Sequence, residues 1–170
     1  MWNLRGDDTI ISINDKDVKL KSKSCNDLMN KKFKKYISLW TNLKKKATDD
    51  NPHFNPILAA DFIRYCILHE HGGIYIDCDI HPIPGKFSKL KTTYNKYPYF
   101  FVHWADDKKK LPYNAIMGAS SLSETIFTEI IEECKKSYNK NVNKDIYKKW
   151  KGRFIFQVTG HYMIKRVVKK

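Results

Sequence analysis

The chain has 170 residues, and 32 lysine and arginine residues against 18 aspartate and glutamate residues give it a formal net charge of +14. This length suffices for one folded domain, and a hydrophobic fraction of 42% with 14% aromatic residues excludes a disordered basic tail. No apolar run approaches the roughly 20 residues of a membrane span, and no signal peptide is visible. We therefore expect a soluble cytoplasmic protein, either free or at a membrane surface, whose 4 cysteines are reduced.

The first predicted elements lie in the N-terminal half of the chain. Residues 9–14 (TIISIN) have β-branched apolar positions bounded by polar residues, which predicts a short strand. Residues 26–46 have apolar side chains at steps of three and four, which predicts a helix with a lysine-rich outer face. A second helix is predicted after Asn55 as the N-cap, with Pro56 at its first position and its end at residues 72–73, two glycines.

Strands and helices alternate through the rest of the chain. The predicted strands are residues 74–80, 97–104, 114–119 and 154–158. A further helix, with one apolar face, is predicted after a capping box at residues 121–124. This alternation predicts an α/β protein.

Two aspartates follow the apolar run at residues 74–76. Asp77 and Asp79 are two residues apart, and such residues point to the same side of an extended chain. Carboxylates on one side repel each other unless a cation or polar ligand neutralises them, and hard oxygen ligands suit Mg²⁺ or Mn²⁺. The pair therefore predicts a divalent metal site at the carboxyl end of a strand, where open α/β sheets bind ligands.

Four further polar residues are candidates for the same site. Asp61 and Arg64 share a face of the preceding helix, either as an isolated ion pair or as a face directed at a ligand beside the strand. His161, in the run VTGHY after a predicted strand and a glycine, is either a further metal ligand or a locally packed histidine. His81 is a second histidine candidate.

One ordered string joins the helix to the acidic pair. It consists of Ala60-Asp61-Phe62-Ile63-Arg64-Tyr65, then Leu68, then Gly72-Gly73-Ile74-Tyr75-Ile76-Asp77-Cys78-Asp79. This string resembles the DXD sugar-binding glycosyltransferases, which include mannosyltransferases of glycan elongation and capsular polysaccharide transferases, and it is similar to the glucosylating domains of large bacterial toxins. The resemblance implies a single catalytic domain over residues 1–170 with a GT-A, Rossmann-like fold, compact or trimmed. It also implies a UDP- or GDP-sugar donor, a glycan acceptor and retention of the anomeric configuration.

The resemblance also implies roles for individual residues. Asp79 would coordinate the divalent metal, Mn²⁺ or Mg²⁺, that bridges the donor diphosphate. Asp77 would bind donor hydroxyl groups, directly or through the metal, so that these two aspartates are the expected catalytic residues. The expected donor-binding residues are Asp61, Arg64, Tyr65 and Asn114. The expected metal ligands are Asp77, Asp79 and His161, and no specific nucleic acid is expected as a partner.

Two other interpretations remain open. A phosphoaspartyl phosphatase also has Asp-x-Asp after an apolar strand, with the first aspartate as nucleophile, although that motif usually continues to a Thr or Val and Ile80-His81-Pro82 follows here. A degenerate transferase that only binds glycan or nucleic acid would use the positive charge and aromatic residues such as Trp104 and Trp150. The charge alone does not indicate nucleic acid, because only 4 basic residues are arginines and lysine-rich composition also follows from AT-rich codons.

Overall fold

The computed structural model describes most of the chain. The described residues are 2–3, 9–13, 16–20, 23–45, 56–77, 79–81, 83, 92, 94, 96–103, 110–120, 124–143 and 151–169. They form two compact units, Met1–Thr41 and Asn42–Lys170. The interpretation of residues 1–170 as one catalytic domain stays a prediction.

The unit Met1–Thr41 combines short strands with helical turns. Strand β1 (Trp2–Asn3) pairs in parallel with β4 (Lys23–Ser24), and β2 (Thr9–Ile13) pairs antiparallel with β3 (Lys16–Leu20). Helix α1 (Cys25–Lys32), a 3-10 turn (Lys34–Tyr36) and helix α2 (Ile37–Leu43) follow. The predicted strand at residues 9–14 is confirmed over its first five positions.

The single helix predicted over residues 26–46 is instead two helices. The chain leaves helical geometry at Phe33, whose φ of −122° and ψ of 37° end α1, and Tyr36 then donates its amide to the Phe33 carbonyl. Phe33 and Tyr36 are both buried, so the break turns two aromatic side chains inward. The mixed apolar spacing therefore reflects two short helices rather than one continuous apolar stripe.

Helix α3 (Pro56–His71) confirms the prediction of a strong helix, although Asn55, its predicted cap, lies outside the described residues. The helix ends where predicted, with the Gly72 amide bonded to the Leu68 carbonyl. Gly72 has a φ of +62° and Gly73 a φ of +94°, which favour glycine. A β-carbon on Gly72 would also lie 2.8 Å from the Ala119 carbonyl oxygen, so this turn needs glycine for space as well.

Three antiparallel strands form the sheet of the unit Asn42–Lys170. Strand β7 (Tyr113–Ala119) lies in the centre, between β5 (Gly73–Ile76) and β6 (Tyr99–Val102). The register pairs Ile76 with Ile116 and Val102 with Tyr113. The described elements are thus mixed α/β, as predicted, but the strands next to the acidic pair are antiparallel rather than parallel.

Helices α4 (Glu124–Asn141), α5 (Lys151–Val158) and α6 (His161–Val168) complete this unit and pack on one another and on α3. The apolar face predicted for α4 is confirmed, since Phe127, Ile130, Ile131 and Cys134 are buried. Cys25, Cys66 and Cys134 are buried and form no disulfide bond among the described residues. Among the described residues, no helix is long and apolar enough to cross a membrane.

The prediction of a strand at residues 154–158 is wrong, because these residues form the second half of helix α5. A strand would bury alternate positions, whereas the chain buries Phe154, Ile155 and Val158 and leaves Phe156 42% exposed. Buried positions at i, i+1 and i+4 fit one face of a helix. The β-rich composition of FIFQV favoured a strand, but packing against neighbouring helices determines the outcome.

The predicted strand at residues 74–80 ends earlier, at Ile76. The Ile80 amide donates to the Asp77 carbonyl at 3.1 Å, which closes a turn over Asp77 and Asp79. The extended geometry that predicted both carboxylates on one side therefore does not apply to them. The capping-box residues 121–123, Trp104 and Trp150 lie outside the described residues.

Candidate functional site

Asp61 and Arg64 form the ion pair that their spacing on helix α3 predicts. The Arg64 Nη2 atom lies 3.1 Å from the Asp61 Oδ1 atom, and the two residues are only 7% and 4% exposed. The pair is not an isolated surface contact, because the same guanidinium extends beyond its own helix. Its Nη1 atom donates to the Asp77 carboxylate at 3.0 Å and to the Asn114 carbonyl at 2.8 Å.

Strand direction explains why Asn114 and Asp77 meet. Because β5 and β7 are antiparallel, the carboxyl end of β5 lies beside the amino end of β7, and the Asp77 amide donates to the Ala115 carbonyl at 2.8 Å. Asn114 therefore lies next to the turn over Asp77 and Asp79, which we call the acidic turn, and its side chain reaches helix α3. The side-chain nitrogen of Asn114, Nδ2, donates to the Asp61 carboxylate at 2.8 Å, and the two residues are 53 positions apart in the sequence.

The carboxylate of Asp61 lies at the centre of this network. Its Oδ1 atom accepts from Arg64 and Asn114, and its Oδ2 atom accepts from the Thr159 hydroxyl at 2.9 Å. Burial raises the pKa of Asp61 from its usual 3.8 to about 6, although the Arg64 charge and the hydrogen bonds from Thr159 and Asn114 oppose the rise. Asp61 is thus an internal acid whose donors hold it in place.

Tyr65 extends the network toward the C-terminal helices. Its hydroxyl donates to the Thr159 carbonyl and accepts from the Asn114 amide nitrogen at 3.2 Å. Tyr65 is fully buried, and burial raises the pKa of its hydroxyl well above the usual 10.0, so that it stays protonated. The network therefore joins α3, β7 and the turn between α5 and α6.

The outer part of the site consists of the acidic turn. The Asp77 Oδ1 atom accepts from Arg64 and from the Tyr75 hydroxyl, and the Arg64 guanidinium lies 4.5 Å from the centre of the Tyr75 ring. The Asp77 side chain remains 29% exposed, and Asp79 is exposed. The side-chain contacts described for Asp77 involve its Oδ1 atom, and Arg64 pairs with two of the three aspartates, Asp61 and Asp77.

The predicted metal ligands are not assembled as a trio. No three histidine, cysteine, aspartate or glutamate side chains among the described residues form a group that could hold a metal ion. His161 begins helix α6 and is 8% exposed, among the rings of Tyr113 at 5.5 Å, Phe156 at 4.4 Å and Tyr162 at 4.5 Å. Its assignment as a metal ligand therefore stays a prediction. His81 is exposed, two residues after Asp79.

Two residues of the network had no role in the sequence interpretation. Tyr75 precedes Asp77 by two residues, and the alternation of side chains along a strand is a signal that could have placed its hydroxyl beside that carboxylate. Thr159 offered no such signal, because its partner Asp61 lies 98 residues earlier and the turn between α5 and α6 was not predicted.

A family model matches residues 4–97, more than half of the chain, and describes a glycosyltransferase sugar-binding region containing a DXD motif. The chain belongs to this glycosyltransferase family. The match supports the transferase interpretation over the phosphoaspartyl phosphatase and over a protein that only binds. No curated protein and no solved structure matches the chain.

The network of this glycosyltransferase extends beyond the segment that the family model matches. Asp61, Arg64 and Asp77 lie within residues 4–97, whereas Asn114 and Thr159 lie after it. Both later residues donate to Asp61. The buried half of the site thus depends on β7 and on the turn before α6 as well as on the DXD region.

Proposed function

We propose that this glycosyltransferase is metal-dependent and moves a sugar from a UDP- or GDP-sugar to a glycan acceptor, with Asp77 and Asp79 at the reaction centre. The observation that supports this most strongly is the bridge from Arg64 to both Asp61 and Asp77. The Arg64 guanidinium pairs with the buried Asp61 carboxylate and with the more exposed Asp77 carboxylate. The acidic turn, which contains Asp77 and Asp79, is therefore left with an excess of negative charge. Such a turn suits a divalent cation that a diphosphate also binds.

The donor set of the acidic turn fits Mn²⁺ or Mg²⁺. Both ions prefer oxygen ligands, and the turn offers the exposed Asp79 carboxylate and the partly exposed Asp77 carboxylate. In this proposal Asp79 and Asp77 hold the ion, with His161 as a further candidate ligand. The ion would supply Lewis-acid stabilisation of the negative charge that develops on the donor diphosphate.

The transfer itself needs no strong base from the protein. The acceptor hydroxyl oxygen bonds to the anomeric carbon of the donor sugar, and the bond from that carbon to the diphosphate oxygen breaks with its electron pair. The proton of the acceptor hydroxyl passes to the departing diphosphate, on the face the diphosphate leaves, so the configuration is retained. The Asp77 carboxylate stabilises the positive charge that develops on the sugar ring.

The remaining predicted donor-site residues hold this centre in position. Asp61 and Arg64 are too buried to present much surface to a donor, and their hydrogen bonds are directed to one another, to Asn114 and to Asp77. We therefore assign Asp61, Tyr65 and Asn114 to fixing Arg64, and Arg64 to orienting Asp77. Preorganised charges of this kind cost little reorganisation during a reaction. A GT-A topology around this centre is part of the same proposal.

A thermal unfolding assay with a panel of UDP- and GDP-sugars, with and without Mn²⁺, tests the proposal. A ligand that binds only the folded state raises the unfolding midpoint by mass action. We expect at least one donor to raise the midpoint in the presence of Mn²⁺, and Asp79→Asn to abolish that rise. Glu129→Gln, an equivalent charge change at an exposed position of α4, should retain it.

Two outcomes would contradict the proposal. The first is that no donor in the panel raises the midpoint of the unchanged protein. The second is that Asp79→Asn responds to donor and Mn²⁺ as strongly as Glu129→Gln does. For a donor that does raise the midpoint, sugar transfer by the unchanged protein, measured as release of the nucleoside diphosphate, identifies the sugar and the base.

A further inference from the structure

A cavity of about 250 Å³ lies between strand β6, the segment before β7 and helix α6. We call it the lysine–aromatic cavity. The lining residues that matter here are Tyr99, Phe101, His103, Lys110, Lys165 and Lys169. None of the aspartates of the acidic turn lines it, so it is distinct from the site described above.

Strand β6 supplies the aromatic side of this cavity. Tyr99 and Phe101 occupy alternate positions of β6, and residues two apart point to the same face of a strand. His103 follows the strand and also lines the cavity. The ring centres of Tyr99 and Phe101 lie 6.1 Å apart, with an angle of 60° between the ring planes. Flat aromatic surfaces of this kind can pack against the C–H face of a sugar ring.

Two separate segments supply the positive side. Lys165 and Lys169 are four residues apart at the end of helix α6, where the helix dipole favours basic residues. That explanation does not extend to Lys110, which comes from the segment before β7 and has a φ of +45°. A non-glycine residue in this conformation is strained, and it points to a constraint on where this lysine lies.

The described lining of the cavity carries positive charge. Three lysines line it, and no aspartate or glutamate does so among the described residues. The ammonium groups of lysines attract anionic ligands. The combination of rings and ammonium groups matches a ligand with a sugar ring and a negative group.

The cavity shares one lining residue with a cavity near the acidic turn. A smaller cavity of about 130 Å³ is also lined by His103. The smaller cavity is further lined by Ile80, which directly follows Asp79, and by Tyr113, which directly precedes Asn114. His103 therefore contributes both to the lysine–aromatic cavity and to a cavity beside the acidic turn.

We propose that the lysine–aromatic cavity binds an anionic sugar, a sugar ring bearing a phosphate or a carboxylate, and that this sugar belongs to the acceptor. The assignment as acceptor rests on the proposed function. The binding of an anionic sugar does not rest on the proposed function, because it follows from the lysines and the aromatic rings alone.

Paired lysine substitutions test this inference. Lys165→Gln with Lys169→Gln removes two charges from the cavity, and Lys136→Gln with Lys140→Gln removes two charges at the same spacing from helix α4, beside a different cavity. Calorimetric titration with glucose 6-phosphate, glucuronate, glucose and inorganic phosphate would be measured for each protein. Circular dichroism and the unfolding midpoint would establish that each variant is folded. If the first pair of substitutions unfolds the chain, Lys110→Gln replaces it.

We expect glucose 6-phosphate or glucuronate to bind more tightly than glucose and than inorganic phosphate. Lys165→Gln with Lys169→Gln should weaken that binding about a hundredfold, since each hydrogen bond to a charged group is worth about tenfold in affinity. The substitutions in α4 should leave it unchanged. Tighter binding of glucose 6-phosphate identifies a phosphate as the recognised group, and tighter binding of glucuronate identifies a carboxylate.

Several results would overturn the inference. They are equal binding of glucose and both anionic sugars, equal binding of inorganic phosphate and glucose 6-phosphate, or an equal loss in both pairs of variants. The donor assay separates this inference from the proposed function. A donor response without lysine-dependent sugar binding overturns the inference alone, whereas lysine-dependent sugar binding without any donor response contradicts the proposed function and leaves the anionic-sugar site.

Discussion

Arg64 on helix α3 donates to the carboxylate of Asp77, the residue that follows strand β5, over a distance of 3.0 Å. The same guanidinium pairs with Asp61 on its own helix and is nearly excluded from solvent. A planar guanidinium holds its donors in a rigid fork, whereas the donors of a lysine ammonium group rotate on a flexible side chain. The orientation of the Asp77 carboxylate therefore depends on the Arg64 side chain from helix α3.

Arg64→Met should remove the bridge between the carboxylates of Asp61 and Asp77. We expect the free energy of unfolding to fall by about 3 kcal/mol, because removing one partner leaves a buried charge without compensation. The donor-dependent rise in the unfolding midpoint should also be lost. Urea unfolding and the donor assay measure the two effects.

Arg166→Met is the matched control for this substitution. Arg166 also donates to a carboxylate at 3.0 Å, that of Glu133, and to Ser137 and Gln157, but away from the acidic turn. Its loss should lower stability and leave the donor response intact. A donor response that survives in Arg64→Met as well would show that Asp77 does not need the bridge.

The stability of the protein should depend on the protonation of Asp61. Its pKa is about 6 in the folded chain against the usual 3.8, so the folded state binds this proton more tightly than the unfolded state. The stabilisation is fully present below about pH 4 and is lost as the pH rises through about 6, a change of about 3 kcal/mol. Asp61→Asn has no proton to lose at this position.

Urea unfolding of both proteins between about pH 4 and about pH 7 isolates the contribution of Asp61, because other titrating groups affect both alike. The free energy of unfolding of the unchanged protein, minus that of Asp61→Asn, should decrease as the pH rises. A difference that increases with pH would mean that the pKa of Asp61 is lowered in the folded state and that burial does not dominate.

Thr159→Val should destabilise the protein more at neutral than at acidic pH. The substitution keeps the shape of the side chain but removes the hydroxyl that donates to Asp61 at 2.9 Å. That hydrogen bond lowers the pKa of Asp61, so its loss should raise the pKa above about 6. The expected loss of stability at pH 7 is about 2 kcal/mol, as for other hydrogen bonds to charged groups. Thr159→Ser, which retains the hydroxyl, should change the pH dependence little.

Gly118→Ala tests the packing between strands β6 and β7. A β-carbon at this position would overlap the ring of Phe100, which pairs with Gly118 across the two strands. Forcing an extra methyl group into such a contact costs about 1–3 kcal/mol. The double variant with Phe100→Leu should recover part of that loss, and a double-mutant cycle from thermal unfolding measures the coupling. Simple additivity of the two substitutions would show that the ring moves aside at no cost.

The sequence predicted the parts of the site that depend on local signals. Proline at the first helical position and the two glycines after it define helix α3 within a few residues, and the spacing of Asp61 and Arg64 follows from the helical repeat. Asn114 was predicted through the family resemblance alone. Its contact with Asp61 depends on the antiparallel pairing of β5 and β7, which no local pattern specifies.

The parts that the sequence did not predict depend on long-range packing. The strand expected at residues 154–158 is a helix because its apolar side chains are buried against other helices, and a run of five residues does not reveal those partners. The incorrect strand prediction also left the role of Thr159 unpredicted. A strand at residues 154–158 does not indicate that the Thr159 hydroxyl points toward helix α3. The turn over residues 77–80 likewise replaced the end of a predicted strand.

The hydrogen bonds of Thr159 also have a consequence for the order of folding. Asp61 and Tyr65 leave the ribosome 98 and 94 residues before the hydroxyl and the carbonyl that they bond. Closing so long a segment is slow compared with forming helix α3 itself. During synthesis helix α3 therefore emerges with Asp61 and Tyr65 still lacking these partners. The two hydrogen bonds form only after helix α5 and Thr159 have been made.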